Sequence, residues 1–349
     1  MRLPTPEGIE DALSIIRPHL PETPVFRSEP LSAGLGADVW LKVETISPIA
    51  SFKLRGALVD VSRALARGTI TRVVTSSTGN HGQGVALAAR LLGLGADIFL
   101  PMGANPLKAA MVAALNATIH RHGHDNNAAK TAAKAFARER GDHFVDDGDS
   151  VDLMEGAGTV GLEIARALDV IDQVYVPLGD GALLGGSACA IKTVHQTARV
   201  IGVQAEGAPA LTNSFHARTT IEHSVDTLAD GLASRSPAPM ALAALWAFAD
   251  DAILVSDQDL LAAIHSVAEC AHILVEPAGA AALAGAWRER KALRSKRVVL
   301  VLTGANLTMD LLKRALATPP LFPVLAPRTD VGRWAEGDGH EAEELRSRS

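Results

Sequence analysis

A repeated passage from an apolar run, through a turn of small residues, into a helical pattern constrains this chain most. Residues 298–302 read Val-Val-Leu-Val-Leu, and Thr303-Gly304-Ala305-Asn306 follows at once. An uninterrupted apolar strand suits a parallel sheet buried on both faces. The rhythm recurs: strands are expected at 39–43, 72–75, 96–100, 118–120, 174–176, 200–204 and 252–255. Helical patterns lie at 82–92 and about 106–115. Ser256-Asp257-Gln258-Asp259-Leu260 caps another helix, and Glu276-Pro277 opens a small-residue one. An amphipathic helix is expected over 6–20, with Ile9, Leu13 and Ile16 on one side and Pro21 and Pro24 ending it. Strands alternating with helices argue for an α/β fold with parallel sheets covered by helices. With 349 residues, 48% of them hydrophobic, the chain can bury more than one domain's core.

The formal net charge is -6 and no long basic run occurs, so nucleic acid is not an expected partner. No apolar run is long enough to cross a membrane, and the first residues lack the pattern of a secretory signal. Cys189 and Cys270 lie far apart in apolar, helical surroundings. They suit a reduced, cytoplasmic protein better than a disulfide framework.

The chemistry gathers in loops. Ser51-Phe52-Lys53-Leu54-Arg55-Gly56-Ala57 follows Pro48, which holds the approach extended. Ser51 reads as a helix N-cap, which puts Lys53 in the first turn, at the positive end of the dipole. Dipole and partial burial both lower a lysine pKa and favour a nucleophilic amine. Read alone, the same heptapeptide also fits a surface lysine whose stem covers apolar neighbours. A second loop, Thr75-Ser76-Ser77-Thr78-Gly79-Asn80-His81-Gly82, leaves a strand and opens a helix, as an anion cradle does. A third, Gly179-Asp180-Gly181-Ala182-Leu183, follows an apolar strand and has the form of a phosphate turn. Both also read as ordinary strand–helix turns. His120, His122 and His124 alternate, but no cysteine or carboxylate pattern supports a metal there, and a solvated strand end is expected.

Ser-Phe-Lys-x-Arg-Gly-Ala resembles the lysine motif of the fold-type II pyridoxal-phosphate enzymes, the threonine/serine dehydratase group of the tryptophan synthase beta superfamily. Four further stretches are similar to the same family: the Asn80 loop, the Gly179 turn, Leu228-Ala229-Asp230-Gly231 and Thr303-Gly304-Ala305-Asn306. The resemblance implies pyridoxal 5'-phosphate as cofactor, carried by Lys53 and flanked by Phe52, with Asn80 on its ring hydroxyl. It implies Gly179, Asp180, Gly181, Ala182 and Leu183 around the phosphate, Glu276 nearby and Thr303 facing the pyridine nitrogen. Ser77, Thr78, Gly79 and His81 are implied to hold the substrate carboxylate. The family's turn usually has four glycines, and Asp180 and Ala182 depart from it. Asp180 is therefore expected to turn its carboxylate outward, since a carboxylate facing a phosphate is repelled.

Some relatives bind a divalent cation after the strand at 200–204. The matching positions here, Gln204, Ala208 and Ala210, lack carboxylates, so no metal is expected.

The implied architecture has a large domain of 1–47 and 148–320, a small one of 48–147 inserted in it, and a disordered tail over 321–349. Too few residues follow for the regulatory domain of some biosynthetic relatives. The implied reaction is β-elimination from a hydroxy amino acid such as L-threonine or L-serine, by a homodimer. Three alternatives stay open: an amino-acid racemase with Thr78 as the second catalytic group opposite Lys53, a 3-hydroxyaspartate or phenylserine lyase, and a divergent small-molecule binder.

Overall fold

The computed structural model describes residues 2–77, 79–104, 106–124 and 126–323. Ten strands form two sheets: β1 (Val25–Arg27), β2 (Asp38–Val43), β3 (Arg72–Ser76), β4 (Gly95–Leu100), β5 (Thr118–Arg121), β6 (His143–Phe144), β7 (Gln173–Pro177), β8 (Arg199–Ala205), β9 (Asp251–Val255) and β10 (Arg297–Leu302). The six-stranded sheet has the order β1-β2-β10-β7-β8-β9. Only β1 runs antiparallel, against β2. The four-stranded sheet has the order β5-β4-β3-β6 and is wholly parallel. Val298 to Leu302 are all 0% exposed, as the apolar run requires. No helix among the described residues is long and apolar enough to cross a membrane.

The chain crosses between the sheets twice, so 25–43 and 173–302 share the larger sheet while 72–144 supplies the smaller. Parallel register brings the C-terminal ends of β2, β7 and β10 to one edge of the first sheet, and those of β3 and β6 to one edge of the second. Ligand-binding loops of open α/β sheets collect at such edges.

Two expectations need correction. The first helix spans Pro6–Ile16 and stops there. Arg17 keeps helical angles, but Pro18 has no N–H to continue the ladder, so the helix ends before Pro21 is reached. The body also runs past 320: Phe322 is 6% exposed, stacks near Trp287 at 5.5 Å and covers Gly34, while Leu321 N donates to Ser266 Oγ. The rest of the expected tail, 324–349, lies outside the described residues. Cys189 and Cys270 are free and buried, and burial pushes both thiols up to about 11.

Candidate active site

Five loops at those strand ends supply the side chains anticipated from the sequence, and two that were not. The loop before Lys53 is stitched to the end of β10. Ser51 bridges Gly304, Phe52 N donates to Thr303 O at 3.1 Å, Ala305 N to Ala50 O at 2.9 Å, and Asn306 Nδ2 to Ile49 O at 2.8 Å. The helix Lys53–Arg67 then begins at the lysine itself. Phe52, not Ser51, occupies the N-cap position, and it makes no side-chain cap; Ser51 is held in the bridge, with its hydroxyl 3.5 Å from Lys53 N.

Lys53 Nζ lies 2.7 and 2.9 Å from the carboxylate oxygens of Asp147 and also pairs with Asp180 Oδ2. The Phe52 ring centroid is 5.4 Å from the same nitrogen. Burial lowers the ammonium's pKa, but the two carboxylates outweigh it and hold it above the ordinary lysine value. The two carboxylates thus reverse the expected depression. Asp147 shows the converse: burial raises it, while His81 and Lys53 together carry it below the usual carboxylate range.

Asp180 corrects a second expectation, because its carboxylate turns inward. One oxygen pairs with Lys53 and the other accepts from Ala182 N at 2.8 Å. The helix Ala182–Val194 begins there, with Gly181 at φ 97° before it. Gly179 lies so close to the 229–232 loop that a Cβ would collide with Gly231 O. Ala182 and Leu183 are buried beneath the turn.

Asn80 starts the helix Asn80–Leu91 and is fixed at both ends of its amide. Its Nδ2 donates to Glu276 Oε1 at 2.6 Å, and its Oδ1 accepts from Asn306 Nδ2 at 2.7 Å. Thr303, 3% exposed, stands at the end of β10. Ser77 Oγ accepts from Gly79 N at 3.2 Å. Thr75 gives its hydroxyl proton to Val145 O, so His81 Nε2 donates in their 3.0 Å contact. His81 Nδ1 then faces Asp147 Oδ1 at 3.4 Å. Thr78 lies outside the described residues. A cavity of about 270 Å³ opens beside Gly231, Glu276 and Asn306.

Asp147 and Asn306 were not anticipated. Asp147 follows β6 as Ser77 follows β3, and that shared position at a strand end is the signal that could have found it.

Arg55, inside the lysine motif, points away from this cluster. It is 0% exposed and donates to Glu44, Glu163, Thr23 and Thr159 at 2.8–3.1 Å. Lys42 completes the buried group through Glu163 at 2.5 Å. Gly56, next in the motif, lets the Lys53 helix cross the helix Val151–Ala167: a Cβ there would sit 2.8 Å from Leu153 O, and one on Gly156 would sit 2.7 Å from Arg55 O.

The sequence model described as "Pyridoxal-phosphate dependent enzyme" matches residues 16–304. The chain belongs to that family. It is 32% identical to the L-threo-3-hydroxyaspartate ammonia-lyase of Saccharomyces cerevisiae over 310 residues, covering 88% of this chain and 95% of that one. The solved structure of the processed form of threonine deaminase isoform 2 from Solanum lycopersicum superposes with a TM-score of 0.85 at 31% identity, covering 89% of this chain and 87% of that one. Maize serine racemase gives a TM-score of 0.85 at 28% identity, over 90% and 98%.

As a pyridoxal-phosphate-dependent enzyme, the chain has residues that fit the cofactor. The start of the Ala182 helix already holds an oxyanion, Asp180's own carboxylate, on a backbone N–H. A phosphate fits the same seat once that side chain turns out. Asp180→Gly should therefore raise cofactor affinity by more than about tenfold, roughly 1.4 kcal/mol, by removing an anion that competes for the seat and clasps Lys53. Titrating apoprotein with pyridoxal phosphate, read by absorbance, checks this. An unchanged affinity would mean that the carboxylate leaves at no cost.

At the position of the relatives' cation site, Gln204 Oε1 accepts from Thr212 N and Oγ1, both at 2.9 Å. The one side-chain oxygen there is thus committed to the protein, and Ala210, the second position where those relatives carry an acid, offers none. No cluster of three or more metal-binding side chains occurs among the described residues; His120 stacks on Phe99 and contacts Asp97 at 2.7 Å. Chelator should leave melting temperature and turnover unchanged, and a loss restored by magnesium or calcium would contradict the reading.

Proposed function

We propose that this enzyme is an ammonia-lyase that eliminates water from a hydroxy amino acid such as L-threonine or L-serine, releasing a 2-oxo acid and ammonia. The observation that carries the reading is the convergence on Lys53 Nζ of loops from the ends of β6 and β7, with Asn80 and Thr303 presented from the ends of β3 and β10. Lys53 would anchor the cofactor covalently, with Phe52 beside it, and then take the α-proton of the substrate at Nζ. The turn Gly179-Asp180-Gly181-Ala182-Leu183 would seat the phosphate. Asn80, oriented by Glu276 and Asn306, keeps one N–H for the cofactor's ring oxygen. Bound pyridoxal phosphate supplies an electron-withdrawing ring next to the substrate's α-carbon. Thr303 offers that ring a neutral hydroxyl where a carboxylate would hold a proton in place. This choice favours prompt loss of a β-leaving group over a long-lived carbanion. Ser77, Gly79 and His81 would receive the α-carboxylate, with Thr78 in the same loop.

We take the chain to divide into 1–47 with 148–323 and an inserted 48–147, which would give each sheet its own domain and put the site in the cleft. We take the working form to be a cytoplasmic homodimer, which light scattering of the purified protein tests. The activity is tested by 2-oxo acid release from a panel of hydroxy amino acids. Release from L-serine or L-threonine is expected, and none from any member would overturn the assignment.

A further inference from the structure

We propose that Asp147 sets the side-chain specificity of this site: its carboxylate admits a neutral hydroxyl side chain and turns away an acidic one. The inference rests on the reading above and narrows it towards serine- and threonine-like substrates and away from 3-hydroxyaspartate.

The geometry leaves Asp147 little else to do. Both its oxygens lie within 2.9 Å of Lys53 Nζ. A substrate that gives its α-proton to Nζ brings its α-carbon to about 3–3.5 Å from that atom. The groups on that carbon then lie beside Asp147. The α-carboxylate is taken by the Ser77–His81 loop, so the β-substituent must be tolerated by the carboxylate. A hydroxyl can donate to it, whereas a second carboxylate meets a like charge.

Charges around the site reinforce this. Asp180 adds another anion on the same Lys53 amine. The cations touching Asp147 are Lys53, whose amine the chemistry occupies, and His81 if protonated, at 3.4 Å. Across the neighbouring cavity Arg314 shares the lining with Asp230, Glu276 and Asp310. No arginine among the described residues pairs with Asp147 or Asp180, so a side-chain carboxylate would find no fork of donors there. An aspartate carboxylate is ordinarily ionised at neutral pH, and His81 beside Asp147 favours that form.

The test compares holoenzyme with Asp147→Asn, a change of charge at nearly constant shape, and with Asp149→Asn, an exposed acid on the same loop, as control. Two ratios are measured. The first is kcat/KM for L-serine over L-threo-3-hydroxyaspartate. The second is binding of L-alanine over L-aspartate, which carry no β-hydroxyl to lose, read from the absorbance of the bound cofactor. Wild type should favour the neutral member of each pair at least about tenfold. Asp147→Asn should shrink each preference at least about tenfold, and Asp149→Asn should leave both alone. A wild-type preference for the acidic member, or ratios in Asp147→Asn within about twofold of wild type, would overturn the proposal. If no hydroxy amino acid releases a 2-oxo acid, the lyase reading fails by itself, and the alanine-to-aspartate ratio still decides the role of Asp147.

Discussion

Lys53→Ala will fold, hold no cofactor covalently and lose at least about 10³-fold in turnover, within the range expected when a positioned proton-transfer group is removed. The loss should exceed that of any other single change in the site, because one amine is asked both to carry the cofactor and to move the α-proton. Borohydride reduction separates the two roles from mere misfolding: wild type should retain the cofactor after denaturation and the variant should not. Unchanged 2-oxo acid release by a verified Lys53→Ala protein would sink the assignment. The variant also leaves Asp147 and Asp180 facing one another without their shared cation. Like charges raise each other's pKa, so it should be less stable than wild type at neutral pH, and the difference should narrow as acid protonates one of the pair.

Arg55→Ala should cost about 3–5 kcal/mol of folding stability, a large part of the 5–15 kcal/mol typical of folded proteins. The guanidinium is fully buried and serves two carboxylates and two hydroxyls at once. Truncation strands Glu44 and Glu163 with Lys42 as their one fully buried cation, and Arg17 reaches Glu163 only from the surface. Arg55→Lys should recover a minority of the loss, since an ammonium cannot reproduce the planar fork. Denaturant titration checks both. A cost below about 1 kcal/mol for Arg55→Ala would show that solvent reaches the cluster and replaces the arginine.

These two neighbours in one heptapeptide show where sequence reasoning succeeds. Lys53, Asn80, the Gly179 turn and Thr303 were legible because each follows an apolar strand, and parallel strands carry their ends to a common edge. Direction was harder. Asp180 was expected outward because only a phosphate was set against it, whereas Lys53 and the Ala182 N–H draw the carboxylate in. In Asp146-Asp147-Gly148-Asp149 nothing local says which acid faces the cleft. Asp146 turns to Lys130 and Lys134 instead. Asn306 lay in a recognised motif, but its grip on Asn80 joins positions 226 apart in sequence, beyond any local pattern. Pro18 was legible and was overlooked in favour of Pro21.

The crossing of the Lys53 helix over the helix Val151–Ala167 carries a consequence for mutational maps. The backbones meet at Gly56 and Gly156, where the nearest atoms to an added methyl are backbone ones, with Leu153 and Val59 side chains beside them. A methyl group at 156 has to lift the whole upper helix, and the reactive amine is its first residue. Position 156 thus works as a remote height adjustment for the nucleophile. A substitution there would lower activity through the placement of the amine as well as through the fold, so a scan scored for activity would group it with positions that touch the substrate.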